Sequence, residues 1–443
     1  MRIHLIAIGG KVMHNLALEL LALGHKVTGS DDEIYDPAYS RLKEAGLLPK
    51  RMGWNAQSIS SDIDKIILGM HAQADNPELL KAQELGVKIV SFPEYIGEAI
   101  ADKNKIVVCG SHGKSTITAM IMHVLKHESI ISDYALGGML DGFDRMVSIT
   151  DAPVAVIEGD EYLSSRIDLA SKMMHYHGDT IIITGIEWDH MNVFPTLEIY
   201  IEQFKMLVKQ AKEEGAKVIW FQSDPILKEI LDQEVGLESY PYKSLKINDL
   251  QLVEWQGEKY KFKIFGDHNL ANMNAARIAC ESIGVKPHNF FKSMESFQGV
   301  GKRLQRISDN PIVYLDYAHA PSKVRATMSA VKEHHKGSRI LALYELHTYS
   351  SLSAAFLPNY KDTLSKADSA AIYFDKHALE MKRLPNLDPV DVKNAFGQGT
   401  EIFSDKNLLT EFLQMEYSEF DVILLMSSGT FGGLDLNKLF QET

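Results

Sequence analysis

The chain has 443 residues, too many for one ordinary hydrophobic core, and its length predicts roughly three domains. Hydrophobic residues make up 45% and charged residues 24%, the balance of a folded, water-soluble protein rather than a disordered or membrane-embedded one. The formal net charge of −13 argues against a nucleic-acid partner, and a count of only two cysteines, Cys109 and Cys280, argues against a disulfide framework or cysteine zinc site and suits a reducing cytoplasm.

The first apolar run, Ile3 to Ile8, ends at Gly9-Gly10, and Met13, Leu16, Ala17, Leu20 and Leu21 follow at helical spacing. Gly24-His25 closes that helix, and Lys26 to Asp31 reads as a second strand. The opening run passes straight into a glycine turn with no small-residue cleavage site, so a strand is expected there and not a signal peptide. Further strands are expected at Lys65 to Leu68 and Val87 to Val90, completing a Rossmann-like opening. Gly9-Gly10-Lys11 lacks the GxGxxG spacing, so nicotinamide binding has little support, while another phosphorylated nucleotide at the same switch point fits.

A second unit begins near Lys105. The run Ile106-Val107-Val108 is a buried strand, Gly110 to Lys114 a loop, and Ser115 to His127 a helix. The segment Cys109-Gly110-Ser111-His112-Gly113-Lys114-Ser115-Thr116 is the strongest chemical signal in the chain. Glycines there let backbone N–H groups turn toward phosphate oxygens, and the helix N-terminus adds positive potential. Lys114 would reach the outer phosphates, and the hydroxyl of Ser115 or Thr116 would serve Mg²⁺. The strict pattern is not met, because Val108 stands where the first glycine belongs, and a plain Ser-capped turn is the alternative. Val154 to Ile157 then runs into Glu158-Gly159-Asp160-Glu161, where Glu158 or Glu161 offers Mg²⁺ a hard oxygen ligand. Ile181 to Thr184 runs through Gly185-Ile186 into Glu187-Trp188-Asp189-His190, a second acidic strand end. A solvated turn explains either one alone; two after a phosphate loop point to a metal–nucleotide site. Gly266 to Asn272 opens a helix over Leu270 to Ile283, whose asparagines suit an adenine edge or simple capping.

A third unit starts near Gly301, with strands at Ile312 to Leu315, Ile340 to Tyr344, Ala370 to Tyr373 and Val422 to Met426. The expectation is α/β throughout, with a mainly parallel sheet in each of three domains at 1–103, 104–300 and 301–443. The apolar runs, such as Ile181-Ile182-Ile183, are too short to span a bilayer.

The chain resembles the Mur ligases. Gly110-x-x-Gly113-Lys114-Ser115-Thr116, Glu158 to Glu161, Asp189-His190, Gly266-x-His268-Asn269-x-x-Asn272 and Asp316-Tyr317-Ala318-His319-x-Pro321 occur in that family's order. With Gly24 to Asp31 included, the resemblance covers essentially the whole chain. It implies a Rossmann-like N-terminal domain for a UDP sugar, a central P-loop ATPase domain and a Rossmann-like C-terminal domain that closes and brings the amine. By the same resemblance Gly9, Gly10, Ser30 and Asp31 face UDP-N-acetylmuramate. Gly110, Ser111, His112, Gly113, Lys114, Ser115 and Thr116 hold ATP; Ser115, Thr116, Glu158, Glu161 and His190 support Mg²⁺. Asn269 and Asn272 contact adenine, Arg303 reaches the phosphates on closure, and Asp316 and His319 line the nucleotide-facing side of the third domain. Lys114, Glu161, His190 and Arg303 carry the catalytic expectation, and Glu345 and His347 belong to the loop that meets an amino-acid or peptide amine.

Glu158 to Tyr162, His175-Tyr176 and Met426 to Gly433 look most like the family branch that returns murein tripeptide to UDP-N-acetylmuramate in peptidoglycan recycling. The branch that adds L-alanine to the same sugar is the alternative, and a non-catalytic nucleotide sensor on this scaffold is the alternative of another class. Gly185 replaces the family's Asn, and Ala320 its second His. Tyr344 to Ser350 keeps Glu345 like the first branch, and His347 and Tyr349 like the second.

Overall fold

A computed structural model of the chain describes residues 1–440 except 141, 189–192, 249, 251, 302, 383 and 398. These residues form two compact units, and the first comprises Met1–Glu187, Leu197–Lys243 and Met273–Met294.

Two sheets build the first unit. β1 (Arg2–Ile6) lies between β2 (Lys26–Ser30) and β3 (Lys65–Leu68), and β4 (Ile89–Ser91) extends from β3, all in parallel. The strand expected to reach Ile8 stops at Ile6, where Ala7 adopts φ 67° and turns the chain toward α1 (Lys11–Ala22). α2 (Pro77–Glu84) starts on Asn76, whose side chain accepts from the Glu78 and Leu79 amides ahead of a first-turn proline.

The second sheet has the order β11 (Ser239–Tyr242), β10 (Lys217–Phe221), β9 (Thr180–Ile183), β5 (Asn104–Cys109), β8 (Val154–Glu158), β6 (Ser132–Ala135), β7 (Val147–Ser148). All neighbours are parallel except the short edge strand β7. Ile106, Val107 and Val108 of β5 are at most 1% exposed, as a strand covered on both faces requires. The pairing sets Val108 beside Glu158 and Cys109 beside Ile183, so the chain leaving β5 emerges between the ends of β8 and β9. From there α3 (Lys114–His127) begins, one residue before the expected start, and α4 (Leu197–Glu214) follows later in the chain.

A polar seam joins the two sheets along α1. Asn15 Oδ1 accepts from Met146 N at 3.1 Å and from Arg41 Nη1 at 2.9 Å. The Glu19 carboxylate accepts from Ile149 N at 2.8 Å and Arg145 Nη1 at 2.6 Å. Both α1 residues are buried, and each would be costly there without those donors.

The second unit takes in the described residues of Trp188–Thr196, Ser244–Asn272 and Glu295–Thr443. It holds a hairpin, β12 (Leu252–Trp255) with β13 (Glu258–Lys261), and a six-stranded sheet. The sheet order is β14 (Gln305–Asp309), β15 (Ile312–Asp316), β19 (Val422–Met426), β16 (Ile340–Leu346), β17 (Ser369–Phe374), β18 (Thr400–Phe403), with only β14 antiparallel. Alternation divides β16 between two cores. Ile340, Ala342, Tyr344 and Leu346 pack with Val324, Met328 and Val331 of α5 (Pro321–His334), while Leu341 and Leu343 pack with Leu409 and Leu413. Among the described residues no helix is long and apolar enough to cross a membrane.

One buried ion pair braces the start of β5 in the first unit. Lys103 Nζ lies 3.2 Å from Asp133 Oδ2, with side chains 5% and 0% exposed, and donates to the Thr150 and Ala152 carbonyls at 2.8 and 2.9 Å. Lys103→Met leaves a buried carboxylate without its cation and is expected to cost about 3–5 kcal/mol. Denaturant unfolding checks this, and Lys103→Met with Asp133→Leu is expected to recover a large part of the loss.

Candidate active site

The phosphate loop is shaped by glycine and by the end of β9. Gly110 has φ +108°, and a side chain there would run into the Thr184 hydroxyl and backbone. Gly113, at φ 81°, is the N-cap of α3 and offers no side chain to the first amides of the helix, so those donors are left to an anion. Ser111 Oγ donates to Glu187 O at 2.9 Å and accepts from Glu187 N at 2.8 Å, which fixes the loop against the segment leaving β9. His112 Nε2 lies 2.6 Å from Glu187 Oε2.

Carboxylates close on this loop from β8. Lys114 Nζ donates to Gly110 O at 2.7 Å and to Glu161 Oε2 at 2.8 Å. Burial favours the neutral amine, but Glu161 and then Asp160 outweigh it and hold the ammonium well above its usual range. Ser115 Oγ donates to Glu158 Oε1 at 2.7 Å, and burial, followed by Asp160, raises the Glu158 carboxyl. Tyr200 of α4 completes the group; its hydroxyl lies 2.9 Å from Ser111 Oγ and 3.3 Å from Glu161 Oε1. The reading of the sequence missed Tyr200, because a tyrosine on the apolar face of an amphipathic helix carries the signal of a core residue. Ser115, Glu158 and Glu161 present hard oxygen donors, the set that suits Mg²⁺ beside phosphates. Thr116 is buried in the first turn of α3. Asp189 and His190 lie outside the described residues.

The first sheet presents a second polar site at the ends of β1 and β2. Gly9 N donates to Asp31 Oδ2 at 2.7 Å, and Gly10 is the N-cap of α1. Burial, then the neighbouring Asp32, raises the Asp31 carboxyl to about 6. Ser30 hydrogen-bonds the buried Glu78, which also lies 3.4 Å from His4 Nε2 and accepts from Asn55 N at 2.8 Å. Ser30 and Glu78 line a cavity of about 820 Å³ together with Arg51, Trp54, Asn55 and Gln57. From the same end of α1, Lys11 Nζ donates to Gly137 O at 3.1 Å, and Gly137 N donates to Glu158 Oε2 at 3.0 Å.

Within the second unit, Asp316, Met426 and Tyr344 are level on β15, β19 and β16, and the loops beyond them gather the other expected residues. Asp316 accepts from Leu304 N at 2.7 Å and Ala318 N at 2.8 Å, anchoring the backbone next to Arg303, whose guanidinium sits 4.6 Å from the centre of the Tyr317 ring. His319 Nδ1 is 2.9 Å from Tyr317 O, and its own carbonyl accepts from the Tyr344 and Tyr360 hydroxyls. Glu345 is 2% exposed and accepts from Ser427 Oγ and from Phe431 N, while His347 Nδ1 stands 3.9 Å from Glu345 Oε1. Asn269 and Asn272 are both buried, and Asn269 Nδ2 donates to Phe265 O at 2.9 Å.

Three family models match the chain in succession. The Mur ligase family catalytic domain covers residues 2–104, the Mur ligase middle domain 108–280 and the Mur ligase glutamate ligase domain 302–429. The Escherichia coli UDP-N-acetylmuramate–L-alanyl-γ-D-glutamyl-meso-2,6-diaminoheptandioate ligase is 29% identical to this chain, over 98% of this chain and 96% of its own length. A UDP-N-acetylmuramate–L-alanine ligase from a Sulfurihydrogenibium species is 28% identical over 80% of this chain and 78% of its own. The crystal structure of a UDP-N-acetylmuramate–alanine ligase from Thermotoga maritima shares the fold, with a TM-score of 0.71 at 23% identity over 98% and 97% of the two chains.

Gly110→Ala forces a side chain into the left-handed region and against Thr184, a strain of about 1–3 kcal/mol before the loop itself shifts. The expected result is a lower unfolding temperature together with a fall in ADP affinity of at least about tenfold, read by thermal unfolding and titration calorimetry.

Proposed function

Because the chain belongs to the Mur ligase family and is an ATP-dependent amide ligase, we propose that it joins the carboxylate of UDP-N-acetylmuramate to the amine of murein tripeptide, L-Ala-γ-D-Glu-meso-diaminopimelate, in peptidoglycan recycling. The observation that carries this choice of amine is the anchoring of the Ser427–Phe431 loop by Glu345: the loop lies in a segment that looks most like the recycling branch, and Glu345 is the residue of its own mixed segment kept as in that branch. His347 and Tyr349, shared with the L-alanine branch, favour L-alanine as the second reading.

In this reaction the carboxylate oxygen attacks the γ-phosphorus of ATP, ADP leaves, and the resulting acyl phosphate is displaced by the amine with loss of phosphate and a proton. Such chemistry asks the protein for positioning and charge neutralisation rather than for a covalent nucleophile. Lys114 is the cation for the outer phosphates, released from Glu161 when they arrive. The open amides of Gly113–Thr116 take phosphate oxygens. Ser115, Thr116, Glu158, Glu161 and His190 are the proposed Mg²⁺ set; the ion supplies charge neutralisation between the phosphates when bound. Asn269 and Asn272 are assigned to adenine, and Arg303, Asp316 and His319 to the nucleotide-facing side of the second unit. Gly9, Gly10, Ser30 and Asp31 are assigned to the sugar nucleotide, which the cavity beside Ser30 has the room and polarity to receive. Glu345 and His347 are assigned to the loop that receives the amine.

Phosphate release from ATP and Mg²⁺ with UDP-N-acetylmuramate is the direct test, with murein tripeptide or L-alanine added in parallel. Stimulation by tripeptide is the expected outcome. Stimulation by L-alanine alone establishes the second reading, and release with neither turns attention to another amine or to a sensor. A pH profile tests the sugar-nucleotide assignment. With its carboxyl raised to about 6, Asp31 is ionised above that pH and becomes a poorer acceptor as pH falls through it. The KM for UDP-N-acetylmuramate is therefore expected to rise below about pH 6, and Asp31→Asn to raise it at neutral pH and flatten the profile.

A further inference from the structure

Tyr200 is fully buried, and its ring packs edge-on against Phe204 at 5.3 Å between centroids. Its hydroxyl carries one hydrogen, and Ser111 Oγ at 2.9 Å and Glu161 Oε1 at 3.3 Å are both within its reach. Ser111 has a single hydrogen of its own and spends it on the Glu187 carbonyl at 2.9 Å. The Tyr200 hydrogen is therefore placed on Ser111 at the shorter distance while Lys114 holds Glu161.

The two oxygens of Glu161 are divided between these neighbours. Lys114 takes Oε2 at 2.8 Å, and Tyr200 faces Oε1. Glu161 is 1% exposed, so protein donors such as the Tyr200 hydroxyl, rather than bulk water, hold its carboxylate in place when the ammonium turns away. A hydroxyl hydrogen can rotate about the C–O bond without any movement of the ring, which makes Tyr200 able to follow that change.

We infer that Tyr200 is a positioning residue for Glu161, turning its O–H from Ser111 to Glu161 Oε1 when Lys114 leaves for the nucleotide phosphates, and so keeping Oε2 directed at the metal. This rests on the assignment of Glu161 to Mg²⁺ made above. Neither Tyr200 nor the division of the Glu161 oxygens is needed for the loop to bind phosphate, so the effect is specific to the metal-linked part of the affinity.

The test compares the affinity of a non-hydrolysable ATP analogue with Mg²⁺ and with chelator, by calorimetry, for the full chain and for Tyr200→Phe. The variant keeps the ring and removes only the hydroxyl. It is expected to lose about tenfold of the Mg²⁺-dependent gain while its metal-free affinity stays within about twofold of the unaltered chain. An unchanged gain in Tyr200→Phe overturns the inference and leaves the metal assignment standing. So does an equal loss with and without Mg²⁺, because that traces the effect to the loop as a whole. Absence of any Mg²⁺-dependent gain in the unaltered chain overturns the metal assignment and this inference with it.

Discussion

The ammonium of Lys114 held against the nearly inaccessible carboxylate of Glu161 is the interaction on which the arrangement of the first unit depends. A buried charge is tolerable only when paired, and here each partner answers for the other. Lys114 is placed by the first turn of α3, which starts where β5 ends. Glu161 is placed by the turn beyond β8, the strand paired with β5. The pair therefore records the sheet order directly, since separating β5 from β8 by a single strand would part the two charges. It also stores a function, because a cation parked on a carboxylate is available to any anion that competes for it.

From this pair the structure reads outward through short polar links. Glu158, beside Glu161, accepts from Ser115 and from the Gly137 amide, and the Gly137 carbonyl accepts from Lys11 at the start of α1. Gly137 thus presents its carbonyl to a cation and its N–H to a carboxylate, linking the two sites through one residue. Gly137 suits this place because a side chain would press on the Glu158 carboxylate. Lys11 adjoins the Gly9-Gly10 turn that faces Asp31, so the polar site at the ends of β1 and β2 and the glycine loop after β5 are two links apart. Along the rest of α1, Asn15 and Glu19 secure the same two sheets.

The second unit uses a comparable device with different chemistry. Glu345 is buried at the end of β16 and is satisfied by a hydroxyl and an amide from the loop after β19, while Asp316 does the same for the backbone around Leu304 and Ala318. Each carboxylate organises a neighbouring loop from below. That leaves His347, Thr348 and Tyr349 beyond the anchor, the stretch in which His347 and Tyr349 resemble the other branch. The anchor and these residues are thus divided between a buried strand end and the loop beyond it, so the loop can change without disturbing the sheet.

Much of this was legible in the sequence because the signals are local. Continuous apolar runs such as Ile106 to Val108 mark strands buried on both faces, glycine and lysine before a helix mark the phosphate loop, and the order of the motifs names the family. Strand ends followed a finer rule: Ala7, in a left-handed conformation, ended β1 earlier than the apolar run suggests. The edge strand β11 carries Pro241 and is mostly exposed, so it has no apolar run to announce it. What only the tertiary structure decided is which distant residues meet. Tyr200 reads as core packing until α4 brings its hydroxyl to Ser111 and Glu161, and Glu345 reads as a loop residue until the pairing of β16 with β19 places it under Phe431. Helical and strand periodicity is written in neighbouring residues, whereas these contacts depend on strand order and register, which are set by the packing of the whole unit.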